Sequence, residues 1–565
     1  MTDTLAAAEE RFSHVTRNSS VMAMGTLGSR VLGFVRTAIF MMIAQTTVAA
    51  DAFTTANNLP SSIYAVIATG VVSGILVPQI TKAMKRQDGG EDFVNRLLTL
   101  SLLVVAGSAI VCTVGTPLIT DLVVSSKANL NVPGFLHLTI LLGYWCMPQV
   151  FFYGLYTVLG QVLNARGYFS AFAWAPAIAN VVQIIGLIAF WVMWGSQPTP
   201  SLWTMPMIIM LGGSTTLGIA IQGIYLVWPL YRDGFRFHLR FGWRGYGFGE
   251  VSRMTFWTSV AVVASFIEGL VITWAANATR AGADEYAGNA TQQNAYSLAI
   301  IPHSMVMVSV ATVLFPALAK AWDDRNRGKV RSLVRQGLIT PSLLIIPASV
   351  AMIAIGMPMI HTLYFPLNSV ESVNVWWVLS AYSIGTWAYA ITALKQRYYF
   401  AKQDGWTNFM LVLVMLSVEL TVVLVAVWFL PGEYGVVAIA LGRTAGSFAS
   451  AGIFLRMVRR EVGDFGLPGI AGLWLRTTAA SAVAGVAAWG VSVAVGRISQ
   501  RHMFAIVDLG VSAIVFVIVL LVMAAVMRIT EITKFARQVL RRIERLPAPP
   551  RRKRPRPPSI PVSHV

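Results

Sequence analysis

Residues 22–45 read MAMGTLGSRVLGFVRTAIFMMIAQ, an apolar stretch that carries two arginines, Arg30 and Arg36. An α-helix rises about 1.5 Å per residue, so Arg30 would lie about 12 Å and Arg36 about 21 Å from a helix start near residue 22. A charged side chain in the middle of a membrane helix costs roughly 2.5–3.5 kcal/mol on insertion scales, so it marks a functional site. The stretch therefore predicts a membrane-spanning helix with a site built around its two arginines.

The remainder of the chain is also apolar. Of its 565 residues, 56% are hydrophobic and 12% are charged, whereas a soluble protein carries about 25% charged residues. A bilayer core about 30 Å thick requires about 20 apolar residues per helix, and runs of that length recur along the chain. We predict an all-α polytopic membrane protein with about fourteen transmembrane helices, near residues 22–45, 59–83, 97–124, 135–163, 170–195, 206–231, 250–276, 293–319, 336–364, 373–400, 408–430, 434–456, 470–494 and 504–527.

Basic residues are unevenly distributed between the two sets of alternating loops. One set, together with the tail from residue 528, holds most of them, and the other holds only Lys127, Arg280, Arg497 and Arg501. Cytoplasmic loops are enriched in lysine and arginine, so both termini are predicted to be cytoplasmic in a multi-pass protein of the inner (plasma) membrane. The basic tail is expected to lie against anionic phospholipids, and nucleic acid is not an expected partner.

An internal repeat links the two halves of the sequence. Residues 76–83 (LVPQITKA) and 314–321 (LFPALAKA) close the second and eighth predicted spans, six spans apart. This predicts two six-helix lobes in a pseudo-twofold repeat with a site between them, followed by two extra helices. The predicted divisions are an N-terminal segment 1–21, an N-lobe 22–231, a basic linker 232–249, a C-lobe 250–460, spans 13 and 14 at 470–527, and a Pro/Arg-rich tail 528–565.

The two arginines of the first span need negative partners. Arginine binds a phosphate or diphosphate bidentately and keeps its charge at any physiological pH. The alternative is that each arginine pairs with an internal acid such as Asp51 or with backbone carbonyls. Two arginines in a chain with so few charges favour an anionic ligand.

Two acidic residues also fall in the middle of predicted spans, Glu268 in span 7 and Glu419 in span 11. A buried carboxylate can be protonated and silent, can pair with a buried arginine such as Arg443, or can bind a coupling cation. Hard cations take oxygen ligands, so Ser417, Thr421 or backbone carbonyls could complete a cation site.

Motifs of enzymes are absent from the sequence, which has no P-loop, no H-E-x-x-H and no nucleophile elbow. We therefore expect a transporter without a cofactor and not an enzyme. Transport would be driven by an ion gradient, the membrane potential or substrate flux, and not by ATP hydrolysed in this chain.

Several segments resemble the MurJ/MviN family, over about residues 18–460. These are 25–36 (GTLGSRVLGFVR), 50–53 (ADAF), Leu59 with Pro60, 74–78 (GILVP) and 399–404 (YFAKQD). The resemblance implies membership of the multidrug/oligosaccharidyl-lipid/polysaccharide exporter superfamily. It implies a flippase that moves lipid II, the undecaprenyl-diphosphate-linked peptidoglycan precursor, to the outer leaflet by alternating access. Spans 13 and 14 would form a groove for the lipid tail.

The resemblance also assigns roles to particular residues. It implies that Ser29, Arg30, Arg36 and Asp51 bind the substrate. It implies that Glu419, together with Glu268 as a counterpart, lies near a sodium site of the family, so Na⁺ or membrane-potential coupling is expected.

The sequence departs from the family at three substrate positions. Thr37 stands where the family commonly has Asp, and Tyr64 and Ser297 stand where it commonly has Arg. The cavity is therefore expected to be less cationic than usual, unless another cation substitutes. The candidates are Arg253, Lys395 and Arg443.

Two other functions fit the sequence. A cation-coupled multidrug exporter of the same superfamily would have an acid-lined cavity and twelve spans. A non-transporting scaffold would recruit proteins of cell-wall synthesis or division, which are also candidate partners of a flippase, through the basic tail.

Overall fold

The computed structural model describes residues 24–68, 91–124, 132–166, 168–242, 253–280, 286–365, 367–498 and 502–532. Within these ranges the chain forms α-helices and no β-strand. Several predicted features lie outside the described residues. They are the segment 1–21, the repeat copy at 76–83, Lys127, Arg501, the linker from residue 243 and the tail from residue 533.

We call the part of the chain before residue 243 the first half, and its described residues form nine α-helices. They are α1 Met24–Ala44, α2 Val48–Ala68, α3 Glu91–Val114, α4 Thr116–Val123, α5 Phe135–Cys146, α6 Gln149–Ala165, α7 Phe169–Trp194, α8 Met205–Tyr225 and α9 Val227–Arg232.

The described residues of the second half, 253–462, form eight α-helices, and two more described helices follow it. The eight are α10 Arg253–Arg280, α11 Asn289–Ala299, α12 Ile301–Asp323, α13 Arg327–Ala354, α14 Gly356–Leu363, α15 Ser369–Ala401, α16 Gly405–Phe429 and α17 Gly432–Val462. The last two, α18 Leu467–Ile498 and α19 His502–Val526, pack on each other, and they join the second half through α13 and α14.

Eleven helical segments in the described residues are long and apolar enough to cross a membrane. They coincide with predicted spans 1, 3–7, 9 and 11–14. The other three predicted spans fall on α2, on α11 with α12, and on α15. These helices carry polar residues such as Asn58 and Gln292 that lower their hydropathy. The all-α membrane fold is confirmed, and the number fourteen stays a prediction.

The second span differs most from its predicted limits. Its helix begins at Val48 and not near residue 59. The polar residues before Leu59 look like a loop in the sequence, but Asp51 and Thr55 are buried inside a regular helix. The hydropathy pattern does not predict this part of the helix, because the polar partners of Asp51 and Thr55 come from distant parts of the chain.

The two halves share a helix break that the sequence also shows. The helix of span 3 stops at Gly115 and restarts as α4 with Thr116-Pro117, and the helix of span 9 stops at Ile355 and restarts as α14 with Gly356-Met357-Pro358. Proline is favoured in the first turn of a helix, because its missing N–H is not needed there. Gly-x-Pro thus marks the same break in two spans that the predicted repeat makes equivalent.

Ion pairs also occur at equivalent places. Arg166, after span 4, pairs with Asp233, after span 6, at 2.6 Å. Lys402, after span 10, pairs with Glu461, at the end of span 12, at 2.5 Å. The hydrogen bond from Arg166 also holds the pKa of the Asp233 carboxyl below its ordinary value.

Arginines near the start of α3 and α13 bind the last residues of their own half. Arg96 donates to the carbonyl oxygens of Phe241 and Gly242. Arg331 donates to the carbonyl oxygen of Val462 at 2.7 and 2.9 Å. These parallels support the predicted repeat, whereas the limits 22–231 and 250–460 stay a prediction.

Glycines bring α16 and α17 into close contact. A Cβ atom added at Gly442 would lie 3.0 Å from the carbonyl oxygen of Glu419, and one added at Gly446 would collide with the carbonyl oxygen of Met415. Small residues four apart allow this approach between membrane helices. The contact places Arg443 of α17 beside Glu419 of α16.

We expect Gly446→Ala to lower the thermal stability of the purified protein, because the collision is with backbone that cannot rotate away. Overpacking of this kind costs typically about 1–3 kcal/mol. Gly452→Ala on the same helix is the control, because a Cβ there meets nothing within 4 Å. It should leave the Tm unchanged or raise it slightly, as alanine favours a helix by about 1 kcal/mol over glycine. Equal Tm values for both variants would contradict the close contact.

Candidate substrate cavity

Two adjoining cavities lie inside the helix bundle. The larger, of about 370 Å³, is lined mainly by α2, α10 and α11, with single residues from α15, α16 and α17. The smaller, of about 130 Å³, is lined by α1, α2, α7, α8 and α11. Asn58 and Gln293 line both cavities. Both halves of the chain therefore contribute to one polar interior.

Arg36 lines the smaller cavity, as does Ser297. Its Nη1 donates a hydrogen bond to Oε1 of Gln183 at 2.8 Å. The described residues around it offer amides and hydroxyls, including Asn57 and Thr215, and no carboxylate. Among the described residues, Arg36 makes no ion pair, so its charge is available to a ligand.

Arg30 lies elsewhere. Its side chain is exposed, and its Nη1 donates to Oγ of Ser304 on α12 at 2.7 Å. It lines neither cavity. The neighbouring Ser29 accepts hydrogen bonds from Asn180 of α7 at its carbonyl (3.0 Å) and at its hydroxyl (3.3 Å). The structure thus separates the two arginines, and substrate binding by Arg30 and Ser29 stays a prediction.

Asp51 pairs with Arg280, which the sequence predicts to lie in a loop. Oδ2 of the fully buried Asp51 lies 3.6 Å from Nε of Arg280, and Oδ1 accepts the N–H of Ala290 at 2.7 Å. Arg280 also donates to the carbonyl oxygen of Thr46 at 2.7 Å. The loop position of Arg280 is therefore wrong, because this residue ends α10 inside the bundle. Asp51 serves neither Arg30 nor Arg36, and a substrate contact for it stays a prediction.

The two positions where the family commonly has arginine have different surroundings. Ser297 faces the smaller cavity. Tyr64 stacks on Tyr153 of α6 with ring centroids 6.1 Å apart and lines neither cavity. Among the described lining residues of the smaller cavity, Arg36 is the only lysine or arginine.

Glu268, Glu419 and Arg443 form a cluster in the larger cavity that we call the Arg443 triad. Nη1 of Arg443 lies 3.0 Å from Oε1 of Glu268 and 2.9 Å from Oε2 of Glu419. Both carboxylates are buried. Of the three interpretations of these acids, the structure shows pairing with an arginine, the half-buried Arg443.

Sodium does not fit this cluster as it stands. One oxygen of each carboxylate, Oε1 of Glu268 and Oε2 of Glu419, accepts a hydrogen bond from Arg443, whose positive charge lies where a cation would bind. Ser417 and Thr421, two expected ligands, are exposed and line neither cavity. Among the described residues, no group of three or more acidic, histidine or cysteine side chains could hold a metal ion.

Neither of the other two candidate cations lines a cavity. The ammonium of Lys395 is buried and donates to Oγ of Ser450 at 3.2 Å. Arg253 is exposed at the start of α10. The sequence interpretation also missed the amides that line both cavities. Their signal was present as runs of amides in apolar surroundings, at Asn57-Asn58 and at 292–294 (QQN).

A bundle of apolar helices, with a polar interior to which both halves of the chain contribute, is the architecture of a multi-pass membrane transporter. The family model described as "Lipid II flippase MurJ" matches residues 43–530. This chain therefore belongs to the MurJ family.

Relatives and solved structures agree with this assignment. The chain is 22% identical to a probable lipid II flippase MurJ of Synechocystis sp., covering 84% of this chain and 87% of that protein. It is 23% identical to a probable lipid II flippase MurJ of Vibrio cholerae, covering 78% and 82%. The fold resembles that of a lipid II flippase MurJ in an inward closed conformation (TM-score 0.66, 19% identity, 89% and 98% coverage). It also resembles an inward-facing multidrug transporter of the MATE family (TM-score 0.54, 14% identity, 76% and 98% coverage).

We expect Asp51→Ala to destabilise the purified protein strongly, because it leaves Arg280 buried without its counterion. Removing one partner of a buried ion pair costs about 3–5 kcal/mol. The double variant Asp51→Leu/Arg280→Met should lose less than the two single variants combined. The exposed pair Arg459–Asp464 is the control. Asp464→Ala should cost less than about 1 kcal/mol in the same unfolding measurement. Additive losses at Asp51 and Arg280 would argue against the pair.

Proposed function

We propose that this protein flips lipid II from the cytoplasmic to the outer leaflet of the bacterial inner membrane by alternating access, with both termini cytoplasmic. One observation carries the proposal. Arg36 lines a polar cavity inside the bundle, and the described residues around it offer it no acidic partner. A membrane protein keeps such a charge at depth where it meets a charged ligand.

The diphosphate of lipid II supplies that charge. A guanidinium binds phosphate oxygens through two parallel N–H donors, which fixes both distance and orientation. Gln183 takes up one of the donors, on Nη1, and thereby orients the group. Ser297, at a position where the family commonly has arginine, lines the same cavity. Arg36 therefore supplies most of the positive charge there.

The larger cavity suits the sugar and peptide part of the head group. Its wall carries amides and hydroxyls from three helices, including Asn58, Asn289, Gln292 and Ser265. Such groups bind sugar hydroxyls and peptide groups by hydrogen bonds without requiring charge. Because the two cavities share Asn58 and Gln293, one substrate could extend from one cavity into the other.

The polyprenyl chain requires an apolar path beside the bundle. Helices α18 and α19 expose large apolar side chains, among them Leu475, Trp489 and Ile514. These helices lie against α13 and α14, outside the two halves. We assign to them the shelter of the lipid tail while the head group passes through the cavity.

Polar contacts between the halves are suited to exchange during alternating access. The Arg30–Ser304 hydrogen bond joins α1 to α12, and the Asp51–Arg280 ion pair joins α2 to α10. The halves cannot separate at either place without losing these bonds. A substrate that binds one arrangement more tightly than the other shifts the balance between them.

We expect Arg36→Ala to reduce lipid II export about tenfold or more, because a hydrogen bond to a charged group contributes about 1.5–3 kcal/mol. Arg36→Lys should retain part of the activity, since it keeps the charge but not the bidentate geometry. The assay measures externalised lipid II in cells depleted of their own flippase. Arg456→Ala, at an exposed arginine of α17, is the matched control. Full export by Arg36→Ala would refute this site.

The same cells separate the alternatives. A multidrug exporter would restore drug resistance without correcting the cell-wall defect. A scaffold would lose function when residues 530–565 are deleted, whereas a flippase largely keeps it.

A further inference from the structure

The Arg443 triad joins three helices at one nitrogen atom. Nη1 of Arg443 on α17 contacts Glu268 on α10 and Glu419 on α16, at 3.0 and 2.9 Å. All three residues belong to the second half of the chain, and all three line the larger cavity. The proposed function uses this cavity for the head group but gives the triad no role.

Close packing of the three helices fixes this arrangement. Gly442, directly before Arg443, lets α17 approach the carbonyl oxygen of Glu419 so closely that a Cβ would lie 3.0 Å from it. Helix α10 packs against both α16 and α17. The two carboxylates therefore meet at a point fixed by helix packing and not by flexible loops.

We propose that Arg443 is a tethered cation, which takes the place of a coupling metal ion at the junction of α10, α16 and α17, so that this protein flips its substrate without Na⁺. The flipping part of this inference rests on the proposed function. The other part, that Na⁺ does not bind at the triad, concerns only Glu268, Glu419 and Arg443.

Charge and distance support the proposal. Two buried carboxylates from different helices make an oxygen-rich site that attracts a cation. Here a guanidinium nitrogen already lies within hydrogen-bonding distance of both carboxylates. A metal ion touching both oxygens would stand next to this positive group, and the two charges would repel each other.

A tethered cation has a consequence for coupling. Arginine keeps its proton throughout the physiological range, and its side chain cannot leave the protein. A metal ion can be taken up on one side of the membrane and released on the other, whereas Arg443 cannot. A gradient of Na⁺ would therefore have no site in this cluster through which to drive the cycle.

Thermal unfolding of the purified full-length protein tests the binding part, in NaCl and in choline chloride at equal ionic strength. Wild type should have the same Tm in both salts. Arg443→Ser frees the two carboxylates and adds a small hydroxyl, so it should gain a Tm increase of about 2–4 °C in NaCl at saturating Na⁺. Arg443→Lys keeps the tethered charge and should stay insensitive, as should the control Arg456→Ser.

The flipping part is tested by measuring lipid II export by wild type in Na⁺-free medium, at the same pH and membrane potential. Unchanged export is the expected result. A several-fold loss of export, or a Na⁺-dependent Tm in wild type, would overturn the proposal.

Arg443→Ser without a Na⁺ response would also overturn it. If this variant does not fold, wild type and Arg443→Lys still test the proposal, because each must have the same Tm in NaCl and in choline chloride. Absence of lipid II export in every medium would refute the proposed function, and the unfolding data would still test the triad.

Discussion

The need to compensate charge inside an apolar helix bundle governs this structure. A buried charge that loses its partner costs several kcal/mol, so each one is held against a group of opposite charge or a polar side chain. Asp51 lies against Arg280, Glu268 and Glu419 share Arg443, and the buried Lys395 bonds to Ser450. Each pairing joins different helices, so the pairs also fix which helices are neighbours. Arg36, like Lys395, has only an uncharged partner among the described residues, the amide of Gln183, but Arg36 also lines a cavity.

Hydropathy predicted the class of fold, and charge singled out Arg36, because both signals depend on local sequence. A run of apolar residues specifies a membrane helix without reference to the rest of the chain. Pairing of charges is not local. Asp51 and Arg280 are far apart in sequence, so nothing near either residue revealed the partner of the other. The same limit explains why the polar residues before Leu59 were interpreted as a loop, although they lie in a helix and face polar groups of α10 and α11.

The internal repeat stays a prediction, and the parallels that support it are clearest at two helix breaks. Gly115-Thr116-Pro117 and Gly356-Met357-Pro358 mark the same break in spans 3 and 9, and this signal was legible in the sequence. The ion pairs Arg166–Asp233 and Lys402–Glu461 match in place but not in residue type. Sequence comparison between the halves cannot detect them, because what the two halves share is a charge pairing between helix ends. Amides that line the cavities escaped notice for a related reason, since an uncharged polar residue in an apolar run gives a weak signal.

The positions of the ion pairs separate permanent contacts from exchangeable ones. The Arg443 triad lies wholly within the second half, so a movement of one half against the other leaves it intact. The Asp51–Arg280 pair and the Arg30–Ser304 bond cross between the halves, so such a movement must break or replace them. Arg36 belongs to neither group, because no described carboxylate completes its charge in this arrangement. An anionic substrate that binds Arg36 therefore gains binding free energy from a charge that has no counterion. That free energy can offset the loss of the contacts between the halves.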